Sequence, residues 1–162
     1  MTPLHAGLIA LHTDRGWRGA LIQGPSGCGK SDLALRALDE GFRLVADDRV
    51  LVWRSANQLY GRAPPTLAGL LEIRGQGISR FPALDFCRIG LFVNCGEPER
   101  MPEPALADHL GLTVPVLTLA PLESSAPSKL RRALQHLGAG TEGAYQALLS
   151  SGDAPRPGGD PR

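Results

Sequence analysis

Aromatic side chains are scarce in this sequence, at 5%, so its core rests on Leu, Val, Ala and Ile. Excess charge is missing too: 17 Lys and Arg face 16 Asp and Glu, a net charge of +1. No basic block or stripe stands out, which argues against nucleic acid as the main partner. No apolar run approaches the roughly 18 residues that a membrane span needs. The stretch from Met1 to Ala10 lacks a charged start followed by a long apolar segment, so no signal peptide is expected. Cysteine is sparse, and Cys28, Cys87 and Cys95 form no CxxC pair. An odd, unpatterned set argues against a disulfide scaffold or zinc site and for a reduced, cytoplasmic compartment.

What is present suits one domain. The chain has 162 residues, of which 43% are hydrophobic. Glycine (20) and proline (14) are in surplus and predict many turns or special backbone sites. Short apolar runs predict strands at 6–11 and 19–23, joined by a polar hairpin turn over 12–18. Leu33, Ala34, Ala37 and Leu38 share one face of a helix expected over 30–40, with Gly41 as its stop. Further strands are expected at 42–46, 49–53, 87–94 and 113–119. Leu130, Ala133, Leu134 and Leu137 predict a helix over about 125–137, and 142–149 a last short one. The domain is expected to run over 1–150. The Gly/Pro-rich end, 151–162, is expected to be a disordered tail.

One motif carries chemistry. Gly24-Pro25-Ser26-Gly27-Cys28-Gly29-Lys30-Ser31 matches G-x-x-x-x-G-K-[ST], with an apolar strand before it and an amphipathic helix after it. Such glycines let the backbone curl so that several N–H groups point at phosphate oxygens. The helix starting near Lys30 adds the positive end of its dipole. Lys30 reaches terminal phosphates, and the Ser31 hydroxyl is suited to Mg²⁺. Asp47 and Asp48 follow the next strand, where a magnesium-binding acid belongs. Two adjacent acids can divide the work, one holding the metal and the other accepting a proton.

From this loop onward the sequence resembles the HPr kinase/phosphorylase family. The resemblance continues through Arg43-Leu44-Val45-Ala46-Asp47-Asp48-Arg49-Val50. It becomes specific at Leu70-Leu71-Glu72-Ile73-Arg74-Gly75-Gln76-Gly77-Ile78, close to the signature LEIRGLGI. It implies an α/β fold, a P-loop nucleotide-binding domain of the PEP-carboxykinase-like type with a mixed sheet and flanking helices. It implies the short form of the family, the C-terminal kinase domain alone. The activity implied is that of a protein serine kinase using ATP and Mg²⁺, with an HPr-like phosphocarrier of the sugar phosphotransferase system as partner. Ser31 and Glu72 are then magnesium ligands with Asp47 nearby, and Asp48 is the base. Arg74 belongs to the signature, and Arg100 matches an arginine that supports transfer. His5 matches an active-site histidine, with His12 a nearby alternative. The resemblance also implies a homo-oligomer, a hexamer.

One departure bears on function. The family's Pro-x-Lys-x-Gly-Arg loop, linked to phosphate removal, is replaced here by Val114-Pro115-Val116-Leu117-Thr118-Leu119. Phosphorylase activity is therefore expected to be weak or absent. Two other readings stay open: a small-molecule P-loop kinase, and a non-catalytic ATP-binding regulatory module. The stretch between 101 and 130 holds no arginine, which weighs against the arginine-rich lid of the first. Intact Lys30, Ser31, Asp48 and Glu72 weigh against the second.

Overall fold

A computed structural model describes residues 1–136; the helix expected over 142–149 and the tail expected over 151–162 lie outside the described residues. In chain order the elements are β1 (Thr2–Thr13), β2 (Gly16–Gln23), α1 (Lys30–Asp39), β3 (Arg43–Ala46), β4 (Arg49–Ser55) and β5 (Gln58–Arg62). A short 3-10 turn (Pro65–Leu67) leads to β6 (Leu70–Ile73), β7 (Gly77–Arg80), β8 (Cys87–Cys95), β9 (Ala105–His109), β10 (Leu112–Leu119) and α2 (Ala126–His136).

The sheet is mixed, as expected. β1 pairs antiparallel with β2 along one edge. Along its other edge it pairs with β3 at residues 8–10 and with β4 at residues 2–5. β5 returns beside β4, β8 pairs antiparallel with β5, and β8 also pairs parallel with β2. The circuit β2–β1–β4–β5–β8–β2 therefore closes on itself. β10 lies parallel to β8, and β9 lies at the outer edge against β10. β6 and β7 form a separate hairpin.

Closure buries both faces of the long strands, which is why they read as continuous apolar runs. Ile9, Leu11, Ala20, Ile22, Leu91 and Val93 face the helices. Leu33, Ala34 and Ala37 of α1 and Ala126, Leu130 and Leu134 of α2 meet them there, so both helices cover the same face. Leu8, Leu21, Val50, Val52, Leu59 and Phe92 fill the inside of the closed circuit. The fit is close: a Cβ added to Gly61 would lie 2.6 Å from Leu8 Cδ2 and 3.0 Å from Val50 Cγ1.

The first hairpin is longer than expected. Strand pairing continues to Thr13 opposite Gly16, although 12–18 is polar. Backbone pairing does not need burial, and the hairpin end is held by Thr13 Oγ1 donating to Gly16 O at 2.9 Å and by His12 against Trp17. β5, β6, β7 and β9 were not expected from the sequence. They are four or five residues long, with exposed positions and glycines that blur the alternation. Gly41, at φ 92, ends α1 as expected, with the Phe42 N–H turning back to Ala37 O.

Candidate functional site

The phosphate loop occupies the turn from β2 into α1. β2 is a central strand, so its end is rigidly placed, and α1 begins at Lys30 directly after Gly29. Gly29 adopts φ 108, and a Cβ there would lie 2.8 Å from Leu122 Cδ2. Glycine is required there by the backbone conformation, and any side chain would also have to push the exposed tip of Leu122 aside. The Leu33 N–H donates to Gly29 O at 2.9 Å and starts the helical ladder. The N–H groups of the first turn have no partner within the helix and face the loop.

Lys30 is buried, and its ammonium turns back on its own loop. It donates to Gly24 O at 2.8 Å and Pro25 O at 3.0 Å, and lies 3.8 Å from Cys28 Sγ. Behind the loop, the Ser31 hydroxyl donates to Asp47 Oδ1 at 2.8 Å. Asp47 Oδ2 accepts the Glu72 N–H at 3.2 Å. One buried carboxylate therefore ties the start of α1 to the β6–β7 hairpin, two elements far apart in sequence.

Asp48 is reached differently. β3 and β4 follow one another along β1, with a register shift between Leu8 and Ile9. Asp47 and Asp48 form the break between them, and Asp48 takes φ 64. Aspartate is among the few non-glycine residues that tolerate this region. The twist frees both acids from strict alternation, so both reach the same cleft, as irregular strand positions do beside functional sites. Asp48 Oδ1 lies 3.2 Å from His5 Nδ1, and His5 Nε2 lies 3.4 Å from Ser26 Oγ. His12 sits at the far end of the first hairpin, so of the two histidines it is His5 that belongs to the cleft.

The cleft has a volume of about 400 Å³ and gathers His5, Ser26, Gly27, Gly29, Lys30, Ser31, Asp47, Asp48, Glu72 and Arg74. Of the expected loop residues, Gly24, Pro25 and Cys28 do not line the cleft, and Gly24 and Pro25 reach it only through their carbonyls, which accept from Lys30. Arg100 is not brought in: it is exposed, in the segment between β8 and β9, and does not line the cleft. Three apolar wall residues were missed in the sequence, Leu35, Ile73 and Leu122. Leu122 is 68% exposed yet held at the rim, because the Arg36 guanidinium donates to Pro121 O and, at 3.0 Å, to Glu123 O. No local pattern around Leu122 marks it, since its place depends on an arginine in α1.

No group of three or more His, Cys, Asp or Glu side chains gathers as a metal site among the described residues. Mg²⁺ does not need one, because it takes one or two carboxylates and completes its shell with phosphate and water. The all-oxygen set of Ser31, Asp47 and Glu72, beside a phosphate loop, fits that requirement.

A family model described as HPr Serine kinase C-terminal domain matches residues 3–84. The chain is 56% identical over 61 residues to the HPr kinase/phosphorylase of Lacticaseibacillus casei strain BL23, covering 37% of this chain and 19% of that protein. It is 48% identical over 66 residues to the HPr kinase/phosphorylase of Clostridium acetobutylicum, covering 41% of this chain and 22% of that protein. These curated relatives are thus matched over about a fifth of their length. The structure of the Hpr(Ser) kinase/phosphatase from Coxiella burnetii superposes with a TM-score of 0.71 at 26% identity, covering 83% of this chain and 94% of that one. The family match spans β1 through β7, all the elements that carry His5, the phosphate loop, the two aspartates, Glu72 and Arg74. The chain belongs to the HPr serine kinase C-terminal domain family.

Proposed function

We propose that this chain is an ATP-dependent protein kinase that transfers a phosphoryl group to a serine of an HPr-type phosphocarrier. The observation that carries this reading is the shared cleft. A phosphate loop, an oxygen set suited to Mg²⁺ and an exposed acid paired with histidine all open onto one surface. On this reading the fold is a phosphate-loop domain of the PEP-carboxykinase-like type.

In the reaction, the loop N–H groups and the N-terminal end of α1 hold the nucleotide phosphates. Lys30 moves off Gly24 O and Pro25 O to the terminal phosphates, exchanging neutral acceptors for charged ones. Ser31, Asp47 and Glu72 would hold Mg²⁺, which would neutralise charge on the phosphates. Asp48 accepts the proton of the attacking seryl hydroxyl. His5, 3.2 Å from Asp48 Oδ1, orients that carboxylate. Arg74 lies over the loop, its Nη2 within 3.8 Å of the Cβ position of Gly27, and stabilises the transferring group. Arg100 has a role only if the bound acceptor or another part of the protein draws it in.

A segment outside the cleft bears on the reverse reaction. Residues 114–119, which stand in place of the Lys- and Arg-bearing loop, lie in β10 and are paired to β8 and β9. They offer no cation for inorganic phosphate, so phosphorylase activity is weak or absent.

The test uses radiolabelled ATP, Mg²⁺ and purified HPr, with a serine-to-alanine HPr as control. Label appears on HPr and not on the control. Lys30→Ala and Asp48→Ala both abolish transfer, and Asp48→Ala still binds nucleotide. Near-normal turnover by Asp48→Ala refutes the assigned base. Transfer to a small molecule but not to HPr favours a small-molecule kinase. Nucleotide binding without transfer favours a regulatory module.

A further inference from the structure

Cys28 and Cys95 are far apart in sequence and meet at the root of the phosphate loop. β2 and β8 run parallel, with Gln23 opposite Asn94, so Gly24 and Cys95 leave neighbouring strand ends at one level. The Cys28 N–H donates to Pro25 O at 3.2 Å, which curls the loop back over Gly24. A Cβ built on Gly24 would lie 2.8 Å from Cys28 Sγ, 2.9 Å from Cys95 Cβ and 3.5 Å from Cys95 Sγ. Both thiols therefore lie against the same glycine. Lys30 Nζ is 3.8 Å from Cys28 Sγ. Burial, and then the neighbouring Cys28, push the Cys95 thiol up to about 12. Both residues are half-buried and within reach of a small oxidant, whereas Cys87 is enclosed in the core.

We propose that Cys28 and Cys95 form a redox-modifiable pair, joined into a disulfide by a hydroperoxide. The Cys28 sulfur attacks a peroxide oxygen and the O–O bond breaks. This leaves Cys28 as the sulfenic acid and releases an alcohol, or water from hydrogen peroxide. The Cys95 sulfur then attacks the Cys28 sulfur, the S–O bond breaks, and the thiol proton leaves with the hydroxyl as a second product, water. Two thiols are oxidised and one peroxide is reduced. A dithiol reverses the bond by exchange.

The bond acts on the loop because it is short. An S–S bond of about 2.05 Å is much shorter than any non-bonded approach of two thiols. Cys28 is drawn towards the end of β8, and the Gly27–Gly29 turn moves with it. The loop N–H groups are then aimed away from the anion position, and Lys30 loses its sulfur neighbour. This consequence rests on the nucleotide-binding reading of the site. The disulfide itself does not.

The experiment treats the purified full chain with hydrogen peroxide and maps its peptides without reduction. In parallel it measures binding of a fluorescent ATP analogue with Mg²⁺, before and after dithiothreitol. The expected result is a linked Cys28–Cys95 peptide with Cys87 still reduced. Nucleotide binding weakens by about tenfold, the scale of one lost charge-assisted contact, and dithiothreitol restores it. Cys95→Ser, with Cys95→Ala as a second variant, binds the analogue as the untreated parent does and loses both the linked peptide and the peroxide sensitivity. Absence of the linked peptide, over-oxidised Cys28 alone, or equal peroxide sensitivity in the Cys95 variants overturns the proposal. If the reduced chain fails to bind the analogue, the kinase reading falls, while the linked peptide still decides the disulfide.

Discussion

Replacing Asp47 separates the architecture of the cleft from its chemistry. Asp47 is only 8% exposed, and its two oxygens accept from Ser31 Oγ at 2.8 Å and the Glu72 N–H at 3.2 Å. Asp47→Ala removes both acceptors at once. A buried donor left unpaired costs about 1–3 kcal/mol. Ser31 is half-buried and Glu72 is exposed, so water replaces part of each bond and the lower end applies. The expected loss is about 2 kcal/mol in total. Asp47→Asn keeps one acceptor oxygen but turns an amide NH₂ towards the second donor, and the loss is expected to be about 1 kcal/mol. β6 is still anchored through Leu71, which is fully buried, so both variants fold. Urea denaturation followed by circular dichroism reads the difference; with a slope of about 2 kcal/mol/M, the Asp47→Ala midpoint drops by about 1 M. A double-mutant cycle with Ser31→Ala should show coupling of at least about 0.5 kcal/mol, since the two side chains touch. An unchanged midpoint for Asp47→Ala, or zero coupling, refutes the idea that this carboxylate ties α1 to the β6–β7 hairpin.

Two further outcomes test the packing. Gly61→Ala places a Cβ 2.6 Å from Leu8 Cδ2 and should lower stability by about 1–3 kcal/mol in thermal melts. Leu8→Ala in the same chain makes room for that methyl group, so the double variant should be less destabilised than the two single losses added together. Burial pushes the Cys87 thiol from 9.0 up to about 12. The folded state holds this proton over that interval while the unfolded state releases it, so stability falls as pH rises from 9.0 towards 12. Cys87→Ala should flatten that alkaline slope in urea titrations taken on either side of pH 9.0; an unaltered slope means that other groups cause it.

The legible parts of this protein are those with short-range causes. The loop from Gly24 to Ser31 declares itself because its glycines, lysine and hydroxyl stand at the fixed spacing of a phosphate-binding motif. α1 follows from its apolar face and from Gly41, and the central strands from runs too apolar for any exposed element. The β6–β7 hairpin was legible only as a signature and not as strands, because its four-residue strands hold one fully buried side chain, Leu71. Leu122 was invisible, because its position is set by Arg36, a residue distant in the chain.

The amino-acid order alone sufficed for the α/β class of the fold and for picking out the loop, acid and arginine types proposed for phosphate and magnesium. Which of them share a cleft depends on the packing of distant strands. Closure of the sheet sets His5 beside Asp48 and leaves His12 at the far end of its hairpin. The left-handed turn at Asp48 lets two adjacent acids reach the same cleft. The parallel pairing of β2 with β8 brings Cys95 to the loop that holds Cys28, while Arg100 stays outside the cleft. Spacing along the chain records local geometry, but these encounters depend on register between strands far apart, which is settled only when both faces of the sheet are buried together.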